Sequence, residues 1–305
     1  MKRILITDGL EQDAVAQLRD NGFEVVEQFY PEEELKEEIK KYDAVVVRSA
    51  TKIRKPVIDA ALETGRLQLI IRGGVGTDNI DVAYANEKGI AVKNTPNASS
   101  ASVAELVIGH MFNIARFIHA SNYSMRLGQW NKKAYEGIEL AGKTLGLIGF
   151  GRIAKETAKK ADALGMKVVY TDLLGPDPNY PQYQYLPMEE LMQVADFISV
   201  HVPGSKDKTP LIGEKEFNKM KDGVYVINAA RGGVVCEEAL LSALDSGKVA
   251  AAALDVYQEE PTKNEKICTH ERISLTPHLG ASTNEAQQRV GKEVVQIITN
   301  HFSCK

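Results

Sequence analysis

Three side chains of complementary chemistry stand just beyond apolar runs in the second half of this 305-residue chain. Arg231 lies in NAARGG after Tyr225 to Asn228, Glu260 in LDVYQEEP after Ala251 to Leu254, and His278 in TPHLGAST after Ile273 to Leu275. Singly, each has an ordinary explanation: a surface cation, an acid before a proline turn, a satisfied loop histidine. Together they suit the oxidation of a secondary alcohol that carries a carboxylate. The imidazole takes the hydroxyl proton, the guanidinium holds the carboxylate, and the acid holds the imidazole.

A hydride acceptor has a place in the stretch Lys143 to Asp172, KTLGLIGFGRIAKETAKKADALGMKVVYTD. Its order is apolar strand, glycine turn, helix, strand, acid. Gly149 permits a tight turn, Gly151 leaves the backbone open to a pyrophosphate, and Ala154 lets the helix lie close on the strand. The N–H groups of the helix's first turn face the phosphates. Asp172 is placed to accept hydrogen bonds from a ribose diol and to repel a 2′-phosphate. Leu173 and Leu174 supply no cation to hold one, so NAD is expected over NADP. Glycine patterns alone are weak in a chain with 24 glycines; the flanking strand, helix and acid make this one informative.

The elements that must position these groups alternate. Ile4 to Ile6, Phe23 to Val26, Ala44 to Val47, Leu67 to Ile71 and Ala91 to Asn94 read as strands, with helices over Glu11 to Asn21, Pro31 to Lys41 and Pro56 to Glu63 between them. Strands separated by helices predict a parallel sheet covered on both faces. Past Ala91 to Asn94, Asn97 to Ile118 is the longest helical pattern. A capping box from Ser102 to Glu105 is expected near its start, and its nearly encircling apolar face predicts burial between domains or against another subunit. The two strands flanking the glycine turn, with Phe197 to Val200, Tyr225 to Asn228, Ala251 to Leu254 and Ile273 to Leu275, predict a second, six-stranded doubly wound sheet. Parallel strands share one carboxyl edge, which brings Arg231, Glu260 and His278 to the same crevice. The RGGVGTDNID segment, Arg72 to Asp81, exposes backbone N–H groups at another strand end. An amphipathic helix over Thr283 to Phe302 closes the chain.

Composition sets the limits. Hydrophobic residues at 44%, charged residues at 26% and a net charge of -4 describe a globular chain with no basic excess for nucleic acid. The length allows two domains. Cys236, Cys268 and Cys304 have no metal-ligand spacing and suit reduced thiols in the cytoplasm. No apolar run reaches membrane-spanning length or forms a signal peptide.

GFGRIA, NAARGG, LDVYQEEP and PHLGAST, in this order, resemble the D-2-hydroxyacid dehydrogenase family over essentially the whole chain. VRSATKI, RGGVGTDNID, NTPNASS, HLGASTNEAQ and WNKK are similar to its phosphoglycerate-oxidising members. The resemblance implies an α/β fold of two related doubly wound βα domains. A Rossmann-type NAD-binding domain, 98–282, is inserted into a flavodoxin-like substrate-binding domain, 1–97 with 283–305. It implies His278 as acid/base, Glu260 as its partner and Arg231 as the grip on carboxylate and carbonyl. On the cofactor side it implies Gly149, Gly151, Arg152 and Ile153 at the pyrophosphate and Asp172 at the ribose. Pro203 would line the adenine pocket, Ala229 and Gly280 would lie along the cofactor, and Asp255 near the carboxamide. For a small anionic, phosphorylated 2-hydroxy acid it implies amides at Gly74 and Val75, the cations Arg48 and Arg72, and Lys132 reaching from a neighbouring subunit of a homodimer. No metal, membrane or nucleic-acid partner is implied.

Two departures stand out: Lys132 where close relatives often carry arginine, and HVPGSKDKTP (residues 201–210) where the family more often has an apolar HxPLT segment. Glu260 stabilises a protonated His278, so reduction is expected to prefer lower pH. The alternatives are a glyoxylate or hydroxypyruvate reductase of the same family, and an NAD-sensing corepressor-like binding protein. The run after Thr283 is too short for an appended regulatory domain, so none is expected.

Overall fold

The computed structural model describes residues 1–205, 207 and 209–303; Cys304, with Lys206 and Lys208 of the HVPGSKDKTP segment, lies outside them. The chain divides into two compact units, Met1–Ser99 with Ala281–Lys305, and Ser100–Gly280.

The first unit alternates β1 (Arg3–Ile6), α1 (Gln12–Asp20), β2 (Glu24–Glu27), α2 (Glu32–Glu38), β3 (Ala44–Val47), α3 (Lys55–Leu62), β4 (Leu69–Arg72), α4 (Val82–Glu87) and β5 (Ala91–Asn94). Its five strands pair in parallel in the order β2-β1-β3-β4-β5. The two-residue period of a strand sends Ile4, Ile6, Ala44 and Val46 to one face of the sheet and Leu5, Val45 and Val47 to the other, so each face has an apolar core.

The second unit opens with α5 (Ser100–Ala115) and α6 (Ile118–Arg126). It continues through β6 (Thr144–Ile148), α7 (Arg152–Ala163), β7 (Lys167–Thr171), β8 (Gln184–Tyr185), α8 (Met188–Val194), β9 (Phe197–Val200) and α9 (Glu214–Lys219). It ends with β10 (Val224–Asn228), α10 (Glu237–Asp245), β11 (Val249–Leu254), α11 (Glu265–Thr269) and β12 (Ile273–Leu275). The sheet is parallel, in the order β12-β11-β10-β9-β6-β7-β8. It has seven strands where six are expected from the apolar runs. The extra strand, β8, is two residues at an edge, with only Val169 and Tyr170 as register partners.

The long helical pattern also differs from expectation. Helix α5 starts at Ser100, so Ser102 sits inside its first turn instead of capping it. It stops at Ala115 because the Ala115 carbonyl accepts the Ile138 N–H at 3.0 Å, Phe117 turns left-handed (φ 53°), and α6 leaves at a 65° bend. The buried face of α5, Val107, Met111, Ile114 and Ala115, packs with Ala154, Ala158 and Ala161 of α7, so its burial is met within the unit. Among the described residues no single helix is long and apolar enough to cross a membrane.

Helix α12 (Asn284–Ser303) returns to the first unit. Thr283 Oγ1 accepts from the Ala286 N–H at 3.1 Å and caps it. Val290, Val294 and Ile298, one helical turn apart, enter the core beside Ile4 and Ile6.

Candidate active site

Loops after β10, β11 and β12 build one cluster in the second unit. The loop after β10 is braced by buried Asn228, whose Oδ1 accepts from Ala230 N (3.1 Å) and whose Nδ2 donates to Arg231 O (3.0 Å). Gly232 follows because a Cβ there would lie 1.6 Å from the Tyr257 carbonyl oxygen. That close approach lays the Arg231 loop on the Glu260 loop. Gln258 N and Asn264 Nδ2 both donate to buried Glu237 at 2.8 Å, which holds the second loop from beneath.

His278 Nδ1 lies 2.7 Å from Glu260 Oε2, and Glu260 Oε1 accepts from Tyr257 N at 3.1 Å. A carboxylate only accepts, so the proton of this bond sits on Nδ1 and Nε2 is left to exchange a proton with substrate. The His278 side chain is 38% exposed, enough for Nε2 to be reached. Burial alone would raise the Glu260 carboxyl. The bond to His278, the imidazole's charge, the Tyr257 N–H and the charge of Arg231 outweigh it and hold the group below its ordinary range.

The His278 backbone is left-handed at φ 55°, a conformation that costs a non-glycine residue about 1–3 kcal/mol. The surroundings impose it. His278 N donates to Asp255 O (2.9 Å) and Thr276 O (3.0 Å), while Leu279 N and Gly280 N donate to the Asp255 carboxylate at 2.7 and 2.9 Å. Asp255 is 1% exposed, and Thr276 Oγ1 also donates to its Oδ1, so it serves first as the anchor of the histidine loop. A carboxamide contact, as the resemblance implies, would rest on the remaining acceptor capacity of Oδ2. Gly280 likewise has its N–H engaged by Asp255, and a Cβ there would lie 3.2 Å from the Val103 side chain.

At the glycine turn, Gly149 has φ 88°, and a Cβ would lie 2.7 Å from His201 O; Gly151 opens on free space. No side chain caps α7 at Gly151, so the N–H groups of its first turn, from Arg152 and Ile153 onward, remain for an anion. Asp172 is fixed beside the turn, accepting from Phe150 N (2.7 Å) and Leu174 N (2.9 Å). Leu173 and Leu174 are fully exposed, Pro203 is exposed and Ala229 half-buried.

In the first unit, Arg48 and the Gly73–Gly74 turn come together: a Gly73 Cβ would lie 3.6 Å from Arg48 Cγ. Burial lowers the Arg48 guanidinium, with Asp8 opposing, and among the described residues no carboxylate pairs with it within 4.0 Å. Arg72 folds back, its Nη1 donating to Gly73 O, and would collide with any Cβ on Gly74 (φ 148°). Gly74 N donates to Arg72 O at 2.9 Å across this turn, and Val75 follows it. Lys132 is exposed on a short 3-10 turn, Lys132–Tyr135.

The profile "D-isomer specific 2-hydroxyacid dehydrogenase, NAD binding domain" matches residues 108–280. Hydroxypyruvate reductase of Thermotoga maritima is 45% identical over 300 residues, 97% of each chain. The chain belongs to the D-isomer specific 2-hydroxyacid dehydrogenase family. D-3-phosphoglycerate dehydrogenase of Rattus norvegicus is also 45% identical, over 96% of this chain, which spans 55% of that relative's length. A glyoxylate reductase from Paecilomyes thermophila superposes with a TM-score of 0.89 at 31% identity, covering 98% of this chain and 94% of its own.

As a family member the protein uses NAD on a small 2-hydroxy acid, and the open first turn of α7 with Asp172 beside it fits that dinucleotide. Residues that brace the site without touching its chemistry, Asn228, Glu237 and Thr276, are not among those the sequence singles out. An asparagine ending a strand and a glutamate opening a helix are too common to carry a signal.

Proposed function

We propose that this dehydrogenase interconverts D-3-phosphoglycerate and 3-phosphohydroxypyruvate, the first step of the phosphorylated route to serine, as a cytoplasmic homodimer. The observation that carries the acid–base part is the 2.7 Å bond between His278 Nδ1 and Glu260, which dedicates Nε2 to the substrate oxygen. In oxidation His278 Nε2 accepts the hydroxyl proton, and in reduction it returns one to the carbonyl oxygen. Arg231 holds the carboxylate and polarises the carbonyl, and its loop is kept in place by Asn228 and Gly232. NAD, held by the first turn of α7 with Asp172 beside it, would supply the hydride acceptor or donor.

Arg48 supports a phosphorylated substrate, being a half-buried cation without an ion-pair partner among the described residues. Hydroxypyruvate reduction is the second reading, favoured by the match over 97% of both chains with the Thermotoga enzyme. Initial rates of NADH oxidation on 3-phosphohydroxypyruvate, hydroxypyruvate and glyoxylate separate the two. A kcat/KM at least about tenfold higher for the phosphorylated acid, lost in Arg48→Met, is expected from one charged contact. Equal or better use of hydroxypyruvate replaces the first reading with the second.

A further inference from the structure

A buried line of side chains runs from helix α5 to the loop that carries His278. His110 on α5 is 3% exposed, with Nδ1 3.1 Å from Ser274 Oγ and Nε2 3.0 Å from Thr276 Oγ1. Thr276 Oγ1 donates to Asp255 Oδ1 at 2.6 Å, and Asp255 holds the N–H groups of Leu279 and Gly280 on the far side of His278. Asn113, a turn further along α5, donates from Nδ2 to Ser274 Oγ at 2.5 Å.

The protons along this line can be assigned. Asp255 as a carboxylate only accepts, so Thr276 supplies its hydroxyl proton and offers a lone pair to His110. His110 Nε2 therefore carries the ring proton and Nδ1 accepts from Ser274. Ser274 in turn accepts from Asn113, whose amide orientation is fixed because His119 N donates to its Oδ1 at 2.8 Å. One arrangement satisfies every group: a neutral imidazole with its proton on Nε2. With Ser274 2% and Asp255 1% exposed, water does not replace a lost partner.

We infer that His110 is a positioning residue for the reaction, holding Thr276 and Asp255 in the orientation that keeps the His278 loop in its left-handed turn. It touches neither substrate nor cofactor. The inference rests on His278 being the acid/base. Helices in this position are expected to supply packing alone, and Val107, Met111 and Ile114 on the same helix do so. His110 adds a directional constraint that no apolar residue could supply.

The test uses the full chain with NADH and hydroxypyruvate, in the variants His110→Met, His110→Gln, Thr276→Val and His110→Met with Thr276→Val. His110→Met should lower kcat by about 10- to 100-fold, since small displacements of a reacting group cost rate steeply. NADH affinity, read by fluorescence without substrate, should stay within about twofold. Amide hydrogen exchange at Leu279 and Gly280 should quicken, while that of the β6 and β9 amides holds. His110→Gln keeps a donor toward Thr276 and should restore most of kcat. Thr276→Val should match His110→Met, and the double variant should lose no more than either, as members of one line do. Wild-type kcat in His110→Met, unchanged exchange at Leu279 and Gly280, or multiplied losses in the double variant would each overturn the inference. Should His110→Met fail to fold, impaired Thr276→Val beside active His110→Gln supports it, and wild-type kcat in Thr276→Val overturns it. His278→Gln, run alongside, separates the two readings: if it keeps turnover, the acid/base assignment itself fails.

Discussion

In the proposed mechanism Glu260 serves His278 through one contact: its Oε2 accepts from Nδ1 and fixes the tautomer, and its charge faces the ring as the hydroxyl proton arrives. Replacing it by glutamine keeps an acceptor and removes the charge, so Glu260→Gln should lower kcat by roughly 10- to 100-fold while NADH binds as before. The same pair sets an acid limit. The Glu260 carboxyl is held below the ordinary glutamate value of 4.5, so the pair's contribution is complete above that pH and is lost as pH falls through the depressed value. A kcat/KM profile should show this acid limb in the wild type and lack it in Glu260→Gln. In the proposed cofactor site Asp172 would act by repulsion of a 2′-phosphate as much as by hydrogen bonding. Phe150 N and Leu174 N bond different oxygens of Asp172, so Asp172→Asn keeps an acceptor for one of them and drops the charge, and should raise the NADPH-to-NADH ratio of kcat/KM by about tenfold. An unchanged ratio would show that selectivity against the 2′-phosphate lies elsewhere.

At the scale of elements, close backbone approaches matter more than side-chain pairs. A methyl on Gly232 would overlap the Tyr257 carbonyl, so Gly232→Ala should push the Arg231 and Glu260 loops apart and cost at least about 100-fold in kcat/KM, with a lowered melting temperature. These contacts also decide what the sequence could reveal. β1, β3, β6 and β10 are legible because a buried parallel strand is a short apolar run, and the order strand, glycine turn, helix, strand, acid reads without coordinates. β8 is not legible: two polar-edged residues carry no period. Nor is the end of α5 visible, since what stops it is the Ile138 N–H, more than twenty residues downstream in the sequence. Within the site, Glu260 and His278 follow from shared strand ends. The bond from Gly74 N to Arg72 O depends on a φ of 148° that composition does not encode, and the partners of His110 lie more than 160 residues away.

For the whole molecule, two imidazoles kept neutral by burial shape the response to acid. Burial pushes His201 from the ordinary histidine value of 6.5 down to about 4, and lowers His110 as well, where Asp255 opposes it. The unfolded chain takes up these protons first, so their stabilising contribution is full above pH 6.5 and is lost as pH falls toward the folded values. Urea midpoints should therefore drop from pH 7.5 to pH 5, and less steeply in His201→Asn. Ile118, Tyr123, Met125, Leu127 and Trp130, on and after α6, are exposed apolar side chains, and the proposed homodimer would cover some of them. Light scattering should give a dimer, and Met125→Glu with Leu127→Glu should shift it toward monomer. The central claim remains the proton exchange at one ring nitrogen. Steady-state NADH oxidation by His278→Gln, with any 2-keto acid the wild type turns over, tests it most directly. A fall in kcat of roughly 10²- to 10⁴-fold with unaltered NADH affinity is the expected result, and turnover at the wild-type rate would contradict it.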